Sequence, residues 1–346
     1  MSANFDDLLK KILKLSSEDQ IRIVNAVNTA TQSERMDEKL HIKFIEERFA
    51  DGFLCPHCET KGRIVKYGKH RNGDQRYICR ECGKTFSPRT ETIYARSKKN
   101  LATWKQFHKC MANHMTVRQT AEVCGINPNT AFIWRHKVLD AAVNHENTKV
   151  MKGVVEADET FFRTSYKGSR HLPRKSKKRG TPIKANSPIK ERVCVPCAVD
   201  RHGNIFSRVA TLGNITSDML HKLYDDRLAS GVTLCTDGFK PYKQYVMDNF
   251  QYLTHVVISP KLHKNGVHHI NHVNALHSSQ KLFIAHFKGV ATKYLENYLI
   301  WHNMSYGVGN IATKEDKLIS SSMRTRINIM WSDVTNKPVI PLTVKK

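Results

Sequence analysis

Long hydrophobic runs are missing from this sequence. Its longest apolar stretch, residues 193–199, contains a proline, whereas a membrane helix needs about 18 consecutive apolar residues. The first 25 residues carry four acidic side chains and interrupt their apolar positions with lysines, unlike a secretory signal. These absences exclude a membrane-spanning protein and lead us to expect one that stays in the cytosol.

Acidic residues are also scarce, since 31 Asp and Glu stand against 56 Lys and Arg, a net charge of +25. Residues 1–50 hold 8 basic and 9 acidic side chains, so the basic excess lies beyond them. Such an excess predicts a polyanionic partner. The hydrophobic share of 40% is enough for packed cores, and 346 residues suggest two or three folded units.

Disulfides are not expected, because the cytosol keeps thiols reduced. Four of the nine cysteines form a C-x2-C-x20-C-x2-C array, namely Cys55, Cys58, Cys79 and Cys82. This spacing predicts a structural Zn²⁺ ribbon over residues 51–95, with a hairpin of two strands (63–68 and 76–78) between the motifs. Free thiols or a redox pair are the alternatives, but a redox pair needs only one C-x2-C motif.

Residues 1–50 contain two stretches with apolar side chains at helical spacing. One covers residues 5–15, and the other begins at Ser17, where Gln20 completes a capping box, and continues through Val27. The apolar stripes indicate either local packing or a dimerisation surface.

A helix-turn-helix pattern follows within residues 96–148. Thr116 caps a first helix with Val117, Ala121 and Val123 facing inward, and Gly125 allows the turn. Asn127 or Asn129 caps a second helix whose apolar side holds Ile133, Trp134 and Val138. The residues expected to stay outside and contact a DNA major groove are Asn129, Thr130, Arg135, His136 and Lys137. An ordinary helical hairpin is the alternative.

From Gly153 the pattern changes to strands and then alternates with helices. Predicted strands are 154–162, 192–199, 205–211, 232–236 and 254–258; predicted helices are 217–229, 241–249 and one that starts near 271. This order is that of a ribonuclease-H-like domain. We therefore predict a multidomain α+β protein: N-terminal helices (1–50), zinc ribbon, helix-turn-helix, a ribonuclease-H-like α/β domain (149–305) and a C-terminal tail (306–346).

Two acids of the predicted sheet are candidates for metal binding. Asp158 lies on the first strand and Asp237 at the exit of the fourth, and together they suit two-metal phosphodiester chemistry. Residues 251–295 contain no Asp or Glu, so the third ligand must be neutral. Glu156 shares the face of Asp158 and is a reserve ligand, whereas Glu159 points away and is expected to be structural.

The predicted last helix offers three polar residues on one face, at i, i+3 and i+7: Asn274, His277 and Lys281. Asn274 can give an amide oxygen to Mg²⁺, Lys281 can hold a phosphate, and His277 can position the substrate or assist proton transfer. Val273, Leu276, Phe283 and Phe287 are expected on the face toward the sheet. A helix cap is the alternative for Asn274, and structural acids are the alternative for Asp158 and Asp237.

Residues 163–190 hold ten Lys or Arg and no acid, with glycines and prolines that prevent a long helix. We expect a basic loop that grips DNA phosphates, or else a solvated surface; its DNA contacts would include Arg174, Lys175, Lys177, Lys178 and Arg179. A second group of interest is His263, His268, His269 and His272, which suggests a DNA-facing loop or a second zinc site.

Several motifs resemble the insertion-sequence transposases of the ISXO-like group. They are the paired C-x2-C motifs, Gly153-Val-Val-Glu-Ala-Asp158-Glu, Thr236-Asp237-Gly-Phe, His272-Val-Asn274-Ala-Leu-His277-Ser, and residues 289–301. The resemblance implies a DDE-type catalytic set of Asp158, Asp237, Asn274 and Lys281 with Mg²⁺ or Mn²⁺. It also implies double-stranded DNA as partner, both terminal inverted repeats and target DNA, bound by a homodimer or higher oligomer. A cytoplasmic protein with this partner is expected to associate with the nucleoid. The rival interpretations are a transposase-derived DNA-binding regulator without catalysis and an RNA-processing nuclease.

Overall fold

The N-terminal part is helical in the computed structural model, which describes residues 2–50, 52–70, 74–146, 149–172, 175, 192–259, 261 and 264–340. Helix α1 spans Ser2–Leu13 and α2 spans Ser17–Arg48. Ser16, rather than Ser17, caps α2 through the Asp19 amide. The helix continues well past Val27 because no glycine or proline interrupts residues 17–48.

The segment between the two C-x2-C motifs forms the predicted hairpin. Strands β1 (Ile64–Lys69), β2 (Gln75–Cys79) and β3 (Thr85–Phe86) form a three-stranded antiparallel sheet in that order. A small aromatic cluster with Phe53, Tyr77 and Phe86 packs beside the cysteines. A unit with so little apolar core needs another source of stability.

The next three helices are α3 (Leu101–Ala112), α4 (Val117–Val123) and α5 (Pro128–Glu146). Thr116 caps α4 in a capping box with Gln119, Gly125 has a φ of +57° in the turn, and the Asn127 side chain accepts from the Asn129 amide. These local predictions hold, except that Val123 is exposed rather than inward.

A mixed sheet with helices on both faces follows. Its strands are β4 (Val154–Arg163), β5 (Arg192–Asp200), β6 (Ile205–Ser207), β7 (Thr211–Leu212), β8 (Val232–Thr236) and β9 (Leu253–Val257). The order is β6-β5-β4-β8-β9, with β7 also on β5; β4, β5 and β6 are antiparallel, and β8 and β9 run parallel to β4. Helices α6 (Ser217–Tyr224) and α7 (Lys240–Asp248) pack on one face.

The rest of the described chain is a short hairpin and four helices. Strands β10 (Lys264–Asn265) and β11 (His268–His269) lead into α8 (Asn271–His286), which covers the other face of the sheet. Then come α9 (Thr292–Ser305), α10 (Ile311–Arg324) and α11 (Trp331–Thr335). Within the described residues, no helix has both the length and the hydrophobicity that crossing a bilayer requires.

One apolar core joins helices from distant parts of the chain. Trp104 of α3 stacks on Trp134 of α5, with ring centroids 3.6 Å apart, and Leu318, Ile319 and others of α10 belong to the same core. The sequence pattern left residues 306–346 as a tail, but α10 is one wall of this core. The limits of the predicted domains stay predictions.

Candidate active site

Asp158 and Asp237 lie side by side because of the strand register. Strands β4 and β8 are parallel neighbours in which Glu156 is paired with Cys235. Each aspartate stands two residues beyond that pair, and adjacent strands are about 4.8 Å apart. Two acids that are 79 positions apart in the sequence thus meet at one edge of the sheet.

Burial and like charge shape the electrostatics of this acid pair. Burial raises the pKa of Asp158 to about 6, and the neighbouring charge of Asp237 also raises it, while Lys281 and the Glu159 amide oppose the shift. Burial, followed by the charges of Asp158 and Asp237, raises the pKa of Glu159 to about 7. Glu159 belongs to the other strand face, yet it adds a third carboxyl close to the pair. A divalent cation relieves this repulsion.

Metal binding at this site should therefore depend on pH. An acid whose pKa is about 6 is ionised in roughly one molecule in eleven at pH 5, and a metal must displace its proton. We expect Mn²⁺ affinity to be about tenfold weaker at pH 5 than at pH 7.5, measured by calorimetry on protein whose zinc content is constant. Asp158→Asn should bind weakly at both pH values. Equal wild-type affinity at the two values would contradict this account.

The turn after β8 fixes the Asp237 side chain. Asp237 Oδ1 accepts a hydrogen bond of 2.9 Å from the Phe239 amide, and the intervening Gly238 has a φ of +83°. A Cβ at Gly238 would lie 2.6 Å from Val257 Cγ1 on β9. Glycine is needed here both for the backbone conformation and for the close approach of β9.

Gly238→Ala should cost more stability than Gly231→Ala, although both glycines have a φ of +83°. A Cβ at position 231 would have no atom within 4 Å, so the stability loss of Gly231→Ala measures the backbone strain alone. The clash with Val257 should lower the free energy of unfolding of Gly238→Ala by about 1–3 kcal/mol more than that of Gly231→Ala. It should also weaken Mn²⁺ binding, because Asp237 moves. Denaturant titrations of both variants measure the difference. Equal losses would show that Val257 moves away without cost.

Helix α8 brings a histidine and a lysine toward the acids. His277 is buried, with its Nδ1 3.8 Å from Asp158 Oδ2. Burial, with a smaller effect of Lys281, lowers the pKa of His277 to about 4, so its imidazole is neutral at pH 7. Its Nε2 is buried without a hydrogen-bond partner among the described residues.

The two faces of α8 agree only partly with the sequence pattern. Val273 and Leu276 are buried against the sheet as predicted, but His277 lies on the buried side with them. Asn274 and Lys281 are exposed along its edge. Lys281 lines a cavity together with Arg163, at the start of the basic insertion. The position of Asn274 as a metal ligand stays a prediction.

The residues at this edge of the sheet fit a divalent metal ion. Asp158 and Asp237 are neighbouring carboxylates in a partly buried site. Keeping both ionised there is energetically unfavourable unless a cation compensates their charge. Glu156 is not a reserve ligand in this arrangement, because both of its oxygens are engaged by the first turn of α8 and by Arg201. Oxygen ligands of this type suit Mg²⁺ and Mn²⁺.

The four cysteines of the C-x2-C motifs converge. Their sulfurs all lie within 4.8 Å of one another, with 3.7 Å between Cys55 and Cys82 and 3.6 Å between Cys58 and Cys79. A tetrahedron with Zn–S bonds of about 2.3 Å has S–S edges of about 3.8 Å. Amide donors from Cys82 and Glu81 help lower the pKa of Cys79 to about 6. The cluster has the size and chemistry of a zinc site.

Two of the residues predicted to contact DNA are buried, and the sequence-based prediction of their exposure is wrong. The Arg135 guanidinium lies 4.9 Å from the Trp301 ring centroid and donates to the Met115 carbonyl at 2.6 Å. His136 packs against Phe132 and Tyr294, and burial keeps its pKa well below the ordinary value. The cause is that α9 covers the side of α5 that was expected to face solvent.

The start of α5 remains accessible. Asn129 is exposed, Thr130 is half-buried, and Lys137 is half-buried with its pKa lowered by burial. Four predicted contacts of the basic insertion, Arg174, Lys177, Lys178 and Arg179, lie outside the described residues, as does His263. Lys175 is described.

Adjacent carboxylates beside a neutral imidazole and a lysine are typical of metal-dependent enzymes that act on phosphodiesters. Comparison with known families agrees, because residues 150–301 match the ISXO2-like transposase domain. This match covers less than half of the chain, and it confirms the resemblance to insertion-sequence transposases found in the motifs.

Comparison with individual proteins gives relatives of part of the chain. A protein of Halobacterium salinarum, described as an uncharacterized protein in transposable element ISH50, is 25% identical over 256 residues, which cover 73% of this chain and 84% of the relative. The crystal structure of a pre-cleavage Mos1 transpososome aligns with 60% of this chain and 75% of its own, at 9% identity and a TM-score of 0.20. A superposition that poor carries no structural argument.

Proposed function

We propose that this protein is a DNA transposase that binds the terminal inverted repeats of its element and catalyses metal-dependent strand cleavage and strand transfer. The observation that carries the proposal is the meeting of Asp158 and Asp237 in one site, inside a segment that matches a transposase domain. The sheet order β6-β5-β4-β8-β9, with three antiparallel strands followed by two parallel ones, supports a ribonuclease-H-like catalytic domain.

The side chains of the site have separable roles in this chemistry. Asp158, Asp237 and Asn274 would hold Mg²⁺ or Mn²⁺, which supplies an activated nucleophile and stabilises charge on the phosphate. Neutral His277, whose Nδ1 lies 3.8 Å from Asp158 Oδ2, would position the substrate or assist proton transfer. The Lys281 ammonium, beside the Arg163 end of the basic insertion, can hold the DNA phosphate in line.

DNA binding is assigned to the parts outside the acid pair. The four-cysteine unit as a Zn²⁺ ribbon, the exposed start of α5 with Asn129 and Thr130, and the basic insertion would contact double-stranded DNA. A chain with a net charge of +25 is suited to binding a polyanion such as DNA. We propose that a homodimer or higher oligomer acts, because one element has two ends to be cut.

Labelled DNA that carries the ends of the protein's own element tests this function. The transposase should bind the ends and nick them only with Mg²⁺ or Mn²⁺. Binding without cutting under either metal would instead support a DNA-binding regulator. Metal-dependent cutting of structured RNA, independent of inverted repeats, would support an RNA-processing nuclease.

A further inference from the structure

Glu156 is a buried acid that stands two residues before Asp158 on β4, with 1% of its surface exposed. A buried carboxylate is unfavourable unless donors surround it. Its Oε2 accepts from the backbone amides of His272 at 2.8 Å and Val273 at 3.2 Å, both in the first turn of α8. A side chain of the central strand therefore binds the beginning of the helix.

Helix α8 has no N-cap side chain of its own. The residue at its N-cap position is Ile270, which makes no side-chain capping bond. The first amides of a helix have no partner within the helix and need an acceptor. Glu156 supplies this acceptor from another element, and its negative charge suits the positive end of the helix dipole.

The second oxygen of Glu156 is held as firmly as the first. Oε1 lies 3.0 Å from Arg201 Nη1, 2.7 Å from His272 Nδ1 and 3.1 Å from His269 Nδ1. Arg201 Nη1 is also 2.8 Å from His272 Nδ1 and 3.2 Å from His269 Nε2. The Arg201 guanidinium thus lies among Glu156, His269 and His272, where a metal ion would have to bind. Its positive charge compensates the negative charge of the Glu156 carboxylate.

We propose that Glu156 is a positioning residue that sets the first turn of α8 relative to Asp158. Val273, which donates to Glu156, directly precedes Asn274, and His277 follows one turn later on the same helix. Asp158 follows Glu156 by two residues on the strand. One carboxylate therefore fixes the distance between the strand-borne and helix-borne members of the site, and this role rests on the proposed function.

Glu156→Gln tests the role with little change of shape. Both oxygens face donors, so the NH₂ group of glutamine must oppose either the α8 amides or Arg201. We expect turnover of element-end cleavage at saturating DNA to fall about 10- to 100-fold, with KM for DNA unchanged. Hydrogen exchange of the His272 and Val273 amides should become faster while exchange in β4 and β5 stays as in the wild type.

A double-mutant cycle separates positioning from general destabilisation. If Glu156 acts through the helix, Glu156→Gln should reduce cleavage by a smaller factor in an Asn274→Ala background than in the wild type. Glu296→Gln, which breaks a buried ion pair with Arg208 elsewhere in the fold, is the matched control and should lower stability without changing turnover.

Three results would overturn the proposal. They are unchanged exchange of the α8 amides in Glu156→Gln, a loss of cleavage that adds fully to that of Asn274→Ala, and a second zinc equivalent that disappears with Glu156→Gln, which would make the group a metal site. If the wild-type protein cuts no DNA, the proposed function fails, whereas the exchange experiment still decides whether Glu156 caps α8.

Discussion

Asp158→Asn and Asp237→Asn are each expected to reduce metal-dependent cleavage of the element ends by about a thousandfold or more, with DNA binding retained. A bound metal contributes several kcal/mol of transition-state stabilisation, and each 1.36 kcal/mol is a factor of ten in rate. Asparagine keeps the size of the side chain but removes the charge that would hold the cation. The double variant should lose little more than either single one, because the two acids act as a unit.

Single-turnover cleavage and gel-shift titration on the same labelled DNA measure this prediction. Asp226→Asn is the matched control, since Asp226 is exposed in the loop after α6 and its substitution changes the net charge by the same amount. The control should cut at the wild-type rate. Cleavage by either active-site variant within tenfold of the wild type would remove these aspartates from the reaction.

Loss of the metal from the four-cysteine cluster is expected to unfold the ribbon. The sulfurs are already spaced for one tetrahedral ion, and the apolar core beside them is small. Zinc binding in such units supplies roughly 10 kcal/mol or more, which that core cannot replace. Cys79→Ser, or a strong chelator, should therefore abolish amide protection in β1–β3 and leave the sheet around β4 folded.

Zinc analysis and hydrogen exchange on the full chain measure this second effect. The wild type should contain one zinc per chain and Cys79→Ser none. Cys124→Ser, which replaces a half-buried thiol outside the cluster, should keep its zinc. Affinity for the element ends should fall with Cys79→Ser if the ribbon contacts DNA. A zinc-free wild type with protected β1–β3 amides would show that the cysteines stabilise the unit without a metal.

Local chemistry made several features predictable from the sequence. The spacing of Cys55, Cys58, Cys79 and Cys82 predicted a cluster that the fold assembles, because each C-x2-C turn presents two sulfurs to one point. Thr116 predicted the start of α4 because a capping box involves only residues three positions apart. Alternation and turn residues predicted the strands well enough to place Asp158 on one and Asp237 at the end of another.

Features that depend on distant partners could not be predicted in this way. Helical periodicity shows which side chains share a face, but not how many faces other elements cover. Arg135 and His136 are buried because α9, more than 140 residues further along the chain, packs on α5. Their basic character suggested a surface that does not exist.

The sequence by itself determined the candidate site residues and the kind of element on which each lies, because capping, alternation and ligand spacing act over a few residues. The tertiary structure alone decided what surrounds them. It turned Glu156 from a possible metal ligand into the cap of α8, placed His277 in a buried and neutral state, and made α10 part of a core. Burial and partnership are set by segments that meet only when the whole chain has folded.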